Sequence, residues 1–112
     1  MKHNAKTDLH DIQEAGRHIL EFTAEMSLED YRANALVKAG VERKFAVIGE
    51  ALVRLRRDSP ELLEQISDVE PIIGFRNVLI HGYDVIADAT VWSSIKDSLP
   101  ILMEEVRFLL SA

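Results

Sequence analysis

The 112-residue sequence contains no cysteine, which removes disulfides, thiolate metal sites and cysteine nucleophiles together. That absence fits a reducing cytoplasm. Three prolines and five glycines are too few for collagen-like or low-complexity chains. No apolar run approaches the roughly 18 residues of a membrane span. The start, Met1-Lys2-His3-Asn4-Ala5-Lys6, lacks the apolar stretch of a signal peptide. Basic charge is in deficit as well, with 13 Lys and Arg against 19 Asp and Glu, a formal −6. Blanket affinity for nucleic acid needs the opposite balance, because phosphates are neutralised by surplus Lys and Arg. His3, His10 and His18 include no His-x3-His pair, so no metal site is expected. There is also no Gly-rich phosphate loop, so any nucleotide would have to be held by side chains.

What is present is apolar and periodic. Hydrophobic residues make up 47%, and residues 1–112 are read as one domain large enough for a single core. From Leu9, apolar or small residues recur at Ile12, Gly16, Ile19, Leu20 and Thr23, the spacing of one helical face. Thr7 or Asp8 is the expected N-cap there. Ser27 with Asp30 reads as a capping box. A long helix should follow, with Ala33, Leu36, Val37, Val41, Phe45, Ile48, Leu52 and Leu55 on its buried stripe. Gly40 and Gly49 within it suggest close helix packing, since each costs about 1 kcal/mol relative to Ala. Ser59-Pro60 restarts the chain as a short helix over about 60–66. Pro71 then opens a helix to about His81, with Gly82 at its end. A last helix from about Thr90 turns Val91, Ile95, Leu99, Leu102 and Val106 inward and should kink at Pro100. Trp92 is assigned to the core, and Tyr31 gives no decisive signal. No stretch alternates with period two. The expected architecture is an all-α, up-and-down bundle of four to five main helices with short connections.

One stretch stands apart chemically. Residues 74–84, from Gly74 through Asp84, hold Arg76, Asn77, His81 and Tyr83 amid apolar residues. On a regular helix Asn77 and His81 are neighbours on one face, so the Asn77 amide could fix the imidazole tautomer. Arg76 and His81 are separated by about 140° around the axis. They converge on one ligand only through the long arginine side chain, loosening at Gly82, or a second copy of the chain. Histidine exchanges protons near neutrality, and the guanidinium fork suits phosphate. Together they suit metal-free cleavage of a ribose–phosphate backbone and equally well plain phosphate binding. A salt-bridged surface arginine beside a capping histidine has the same spacing. Glu50, in an apolar neighbourhood, is expected to cap or to pair with Arg76 or another base. Arg54, Arg56 and Arg57 suit the negative end of a helix dipole or could reach RNA phosphates.

The run Arg76-Asn77-Val78-Leu79-Ile80-His81-Gly82-Tyr83-Asp84 resembles the signature of the HEPN superfamily, and more narrowly its HepT-like (DUF86) branch. Glu42 through Ala51, with Ile48-Gly49-Glu50-Ala51, resembles that family's long second helix, and Val91-Trp92 with Leu99-Pro100-Ile101-Leu102 its closing helix. The resemblance implies a HEPN-like bundle forming a homodimer that lines a cleft with the arginine and histidine of both chains. It implies a metal-independent ribonuclease toxin needing no cofactor, with Arg76 and His81 catalytic and Asn77 supporting. It further implies a partner, a minimal nucleotidyltransferase (MNT) antitoxin, that transfers AMP to Tyr83. The alternative is a non-catalytic, nucleotide-binding or recruiting subunit of that nucleotidyltransferase.

Overall fold

The computed structural model describes residues 4–67, 69–81 and 87–111, with the backbone alone at 79–81. All its regular elements are helical: α1 (Ala5–Phe22), α2 (Leu28–Ala33), α3 (Ala35–Asp58), α4 (Pro60–Leu63), α5 (Val69–His81), α6 (Asp88–Ser93), a π-helical turn (Ser94–Ser98) and α7 (Leu99–Ser111). No described helix is long and apolar enough to cross a membrane.

Local chemistry accounts for most boundaries. Asn4, rather than Thr7 or Asp8, caps α1 by accepting from the Thr7 N–H at 2.8 Å. Asp8 instead is 1% exposed and accepts from Arg54 Nε of α3 at 2.8 Å. The Ser27–Asp30 capping box forms in both directions. The expected single long helix is broken at Asn34, whose side chain accepts from the Val37 N–H and restarts the chain as α3. An amide at that point offers the backbone a competing bond. Leu36 faces outward from α3, where it is 84% exposed, and Leu20 of α1 is also exposed. Both had been placed on buried faces by spacing alone. Pro60 stands at the first position of α4 as expected, although α4 is a single turn. Helix α5 begins at Val69, two residues before Pro71, which falls in the first turn where a missing N–H costs nothing.

The final run departs furthest from expectation. It begins at Asp88, and the strain of Pro100 is taken up ahead of the proline. Leu99 N–H donates to Ser94 O, five residues back. Such a widened turn is a known way to relieve a disturbed hydrogen-bond ladder.

Helices α1, α3 and α5 run antiparallel in sequence. Phe22 at the end of α1 meets Gly40 near the start of α3, while Asp8 near the start of α1 meets Arg54 near the end of α3. Arg56 of α3 pairs with Glu70 at the start of α5, and Phe45 meets Phe75 edge-to-face at 5.5 Å. The last run closes the bundle with Val91, Ile95, Leu99, Leu102 and Val106 in a core shared with Ile12, Ile19, Ile48, Leu52 and Ile72. Ser67, beyond α4, is held to α7 by Glu105, which accepts from its N–H and hydroxyl.

Tyr31 is a core residue, 1% exposed, with its ring against half-buried Trp92 at 5.5 Å. Burial, then the charges of Glu42 and Asp88, push its phenol up to about 12 from 10. The folded state therefore holds that proton more tightly than the unfolded chain. Its contribution is complete below pH 10 and is lost as pH rises through about 12. In Tyr31→Phe, the fall in unfolding free energy between those pH values, followed by urea titration, should be visibly shallower.

Candidate functional site

Helix α5 carries the site and is fixed by its own apolar residues. Ile72, Ile73 and Phe75 are all buried, which locks the rotation of the helix about its axis. That rotation aims Arg76 at α3. A β-carbon built on Gly49 of α3 would lie 2.5 Å from Arg76 Cβ, 3.2 Å from its Cγ and 3.3 Å from Ile72 O. The stem of the arginine thus lies directly on the bare backbone of Gly49. Its Nε is buried and has no hydrogen-bond partner. Its Nη1 donates to Asn77 Oδ1 at 2.9 Å.

Among the described residues this is the one hydrogen bond Arg76 makes, and it has no ion pair. A surface salt bridge does not describe it. Leaving a buried guanidinium donor unmade costs about 1–3 kcal/mol or more, and an acceptor from outside would meet the terminal nitrogens of this half-buried side chain rather than Nε. Glu50, beside Gly49, pairs neither with Arg76 nor with any other described base, contrary to expectation. Its half-exposed position lets water solvate it.

The other motif residues divide between described and undescribed. The backbone of α5 stays helical through His81, so the Cα of His81 lies about 140° around the axis from that of Arg76. Gly74, seven residues before His81, shares its side of the helix, and a β-carbon there would meet nothing within 4 Å. Among the described residues nothing covers that side of α5 at Gly74. The His81 side chain, and with it the expected Asn77–His81 contact, lies outside the described residues, as do Gly82 and Tyr83. The chain returns at Ala87, and Asp88 is tied to Lys38 of α3 at 3.1 Å.

The basic cluster of α3 is engaged within the fold. Arg54 pairs with Asp8 and Asp11 of α1, Arg56 with Glu70 and Arg57 with Asp58. Arg56 and Arg57 do occupy the last turn of α3, as the dipole reading expects. Elsewhere, His10 is exposed and His18 stacks on Phe22. Among the described residues no three His, Cys, Asp or Glu side chains gather as a metal site would require. The residue that sequence reasoning undervalued is Gly49. Its signal was a glycine, costly inside a helix, beside the Glu50 that drew attention instead.

Comparison with known proteins is consistent with this geometry. The family model described as ribonuclease HepT-like matches residues 12–109. "Putative RNase MJ1216" of Methanocaldococcus jannaschii is 35% identical over 93% of this chain and 85% of its own length. "Probable ribonuclease HepT" of Thermococcus cleftensis is 33% identical over 91% of this chain and 92% of its own. "Putative RNase MJ1380", also of M. jannaschii, is 30% identical over 94% and 95%. No solved structure matches.

Proposed function

The chain belongs to the ribonuclease HepT-like family of the HEPN superfamily, and from that premise we propose that it is an endoribonuclease toxin working through Arg76 and His81 without a metal. The observation that carries this reading is the state of Arg76. Its side chain is pinned at the stem by Gly49 and at Nη1 by Asn77, and among the described residues no carboxylate pairs with the guanidinium. A phosphate oxygen is the acceptor that fits such a fork.

In the reaction, the His81 imidazole takes the proton of a ribose 2′-hydroxyl. The 2′-oxygen forms a bond to the adjacent phosphorus, and the bond from phosphorus to the 5′-oxygen breaks. The departing oxygen takes up a proton, leaving a cyclic phosphate on one fragment and a 5′-hydroxyl on the other. Arg76 stabilises the charge that grows on the phosphoryl oxygens. The angular offset between Arg76 and His81 within one chain favours a homodimer, in which a two-fold axis brings both pairs to one groove. Tyr83 is the acceptor of AMP from a nucleotidyltransferase antitoxin. The added phosphate and adenine would compete with RNA for Arg76 by charge and bulk.

The test is cleavage of single-stranded RNA in the presence of a chelator, with the product ends identified. Fragments ending in cyclic phosphate are expected, and a substrate with a single 2′-deoxy position should resist cleavage there. Prior incubation with the cognate nucleotidyltransferase and ATP should add AMP to the wild type, not to Tyr83→Phe, and silence cleavage. Nucleotide binding by Arg76 with no cleavage under any of these conditions would instead make the chain a recruiting subunit.

A further inference from the structure

We propose that Gly49 is a positioning residue for Arg76, setting the depth and direction from which the guanidinium meets its phosphate. The inference rests on the reading of Arg76 as the phosphate-binding group. It goes beyond that reading by assigning a role to a residue on another helix that touches no substrate. At 2.5 Å from Arg76 Cβ, an added β-carbon cannot be accommodated by swinging the far end of a flexible chain. The conflict is with the root of the arginine and with the Ile72 carbonyl of the α5 backbone, so α5 itself must move away from α3.

The neighbours make that movement specific to the site. Phe45 and Phe75 pack on one side of the contact, and the exposed Arg56–Glu70 pair lies toward the start of α5. Phe75 immediately precedes Arg76 in the same turn of α5 and is buried, so the movement of that turn away from α3 carries Arg76 with it. The Nε–H, now shielded from water, becomes accessible, and the fork turns relative to Asn77. A displacement of about 1 Å at a group that orients a reacting centre can cost about 100-fold in rate.

Gly49→Ala, Arg76→Ala and the double variant separate positioning from packing. The Arg76 β-carbon persists in Arg76→Ala, so Gly49→Ala should lower the melting temperature similarly in both backgrounds. Cleavage should behave differently. Gly49→Ala alone should lose about 100-fold, mostly in kcat with little change in KM, whereas in Arg76→Ala it should change the residual cleavage by less than about twofold. Equal losses in both backgrounds, or wild-type kcat in folded Gly49→Ala, would overturn the proposal.

If Gly49→Ala does not fold, Arg76→Gly supplies the missing space. Gly49→Ala/Arg76→Gly should fold, and added methylguanidinium should rescue its cleavage to the level that the same additive gives Arg76→Gly alone. A folded pair without rescue counts against the proposal. An arm independent of cleavage follows the Arg76 Nε–H proton by NMR, assigned by its loss in Arg76→Lys. Its exchange with water should be slow in the wild type and about tenfold faster in Gly49→Ala. Unchanged exchange refutes Gly49 even if the wild type cleaves no RNA, and faster exchange without cleavage refutes the ribonuclease reading alone.

Discussion

Arg76→Ala lowers RNA cleavage by about 10²–10³-fold and His81→Ala by about 10²–10⁴-fold, with the helical circular dichroism of both variants intact. The first loss follows from removing charge stabilisation aimed at the phosphoryl oxygens, and the second from removing the proton carrier. Arg76→Lys recovers little, because an ammonium is a point charge without the planar fork. The two substitutions together should cost far less than the product of their separate effects, since they serve one transition state. Arg76 forms no ion pair among the described residues, and the burial of α5 comes from Ile72, Ile73 and Phe75. Cleavage unchanged in either folded variant would remove that residue from the catalytic assignment.

The second large effect is on stability. Arg54→Ala should cost about 3 kcal/mol, because it removes the guanidinium facing a carboxylate that is only 1% exposed. In a domain of this size that corresponds to a fall in melting temperature on the order of 10 °C. RNA cleavage by the folded protein should not change. Arg56→Ala and Arg57→Ala provide the contrast. Their pairs with Glu70 and Asp58 are exposed, and exposed pairs contribute about 0–1 kcal/mol. A loss of RNA affinity in Arg54→Ala, with stability preserved, would return this cluster to the RNA-binding role that the fold argues against.

These two cases differ in how much could be read from residue order. Arg76 and His81 stand in one short motif on one helix, and the local run identified them. Arg54 was grouped with Arg56 and Arg57 because the three are near neighbours in sequence. Only the packing of α1 against α3 divides them, by bringing Asp8 and Asp11 into ion pairs with Arg54. Asn34 shows the same limit at the level of secondary structure. It sits between Ala33 and Ala35, both good helix formers, so its capping role was masked by its neighbours. Leu36 lies within α3 itself, nine residues before Phe45 and so about 180° from it around the axis, on the face opposite the core stripe.

By itself the order of residues determined the helical class, the core faces of α3 and the last run, the Ser27 cap and the motif on α5. Those properties depend on a 3.6-residue repeat and on chemistry between near neighbours, which short-range spacing encodes directly. The tertiary structure alone decided that Gly49 lies under Arg76, that Asp8 faces Arg54, and that Glu50 pairs with no described base. Such contacts join distant segments through the crossing of packed helices. They depend on side-chain volumes along the whole interface, which no local pattern contains.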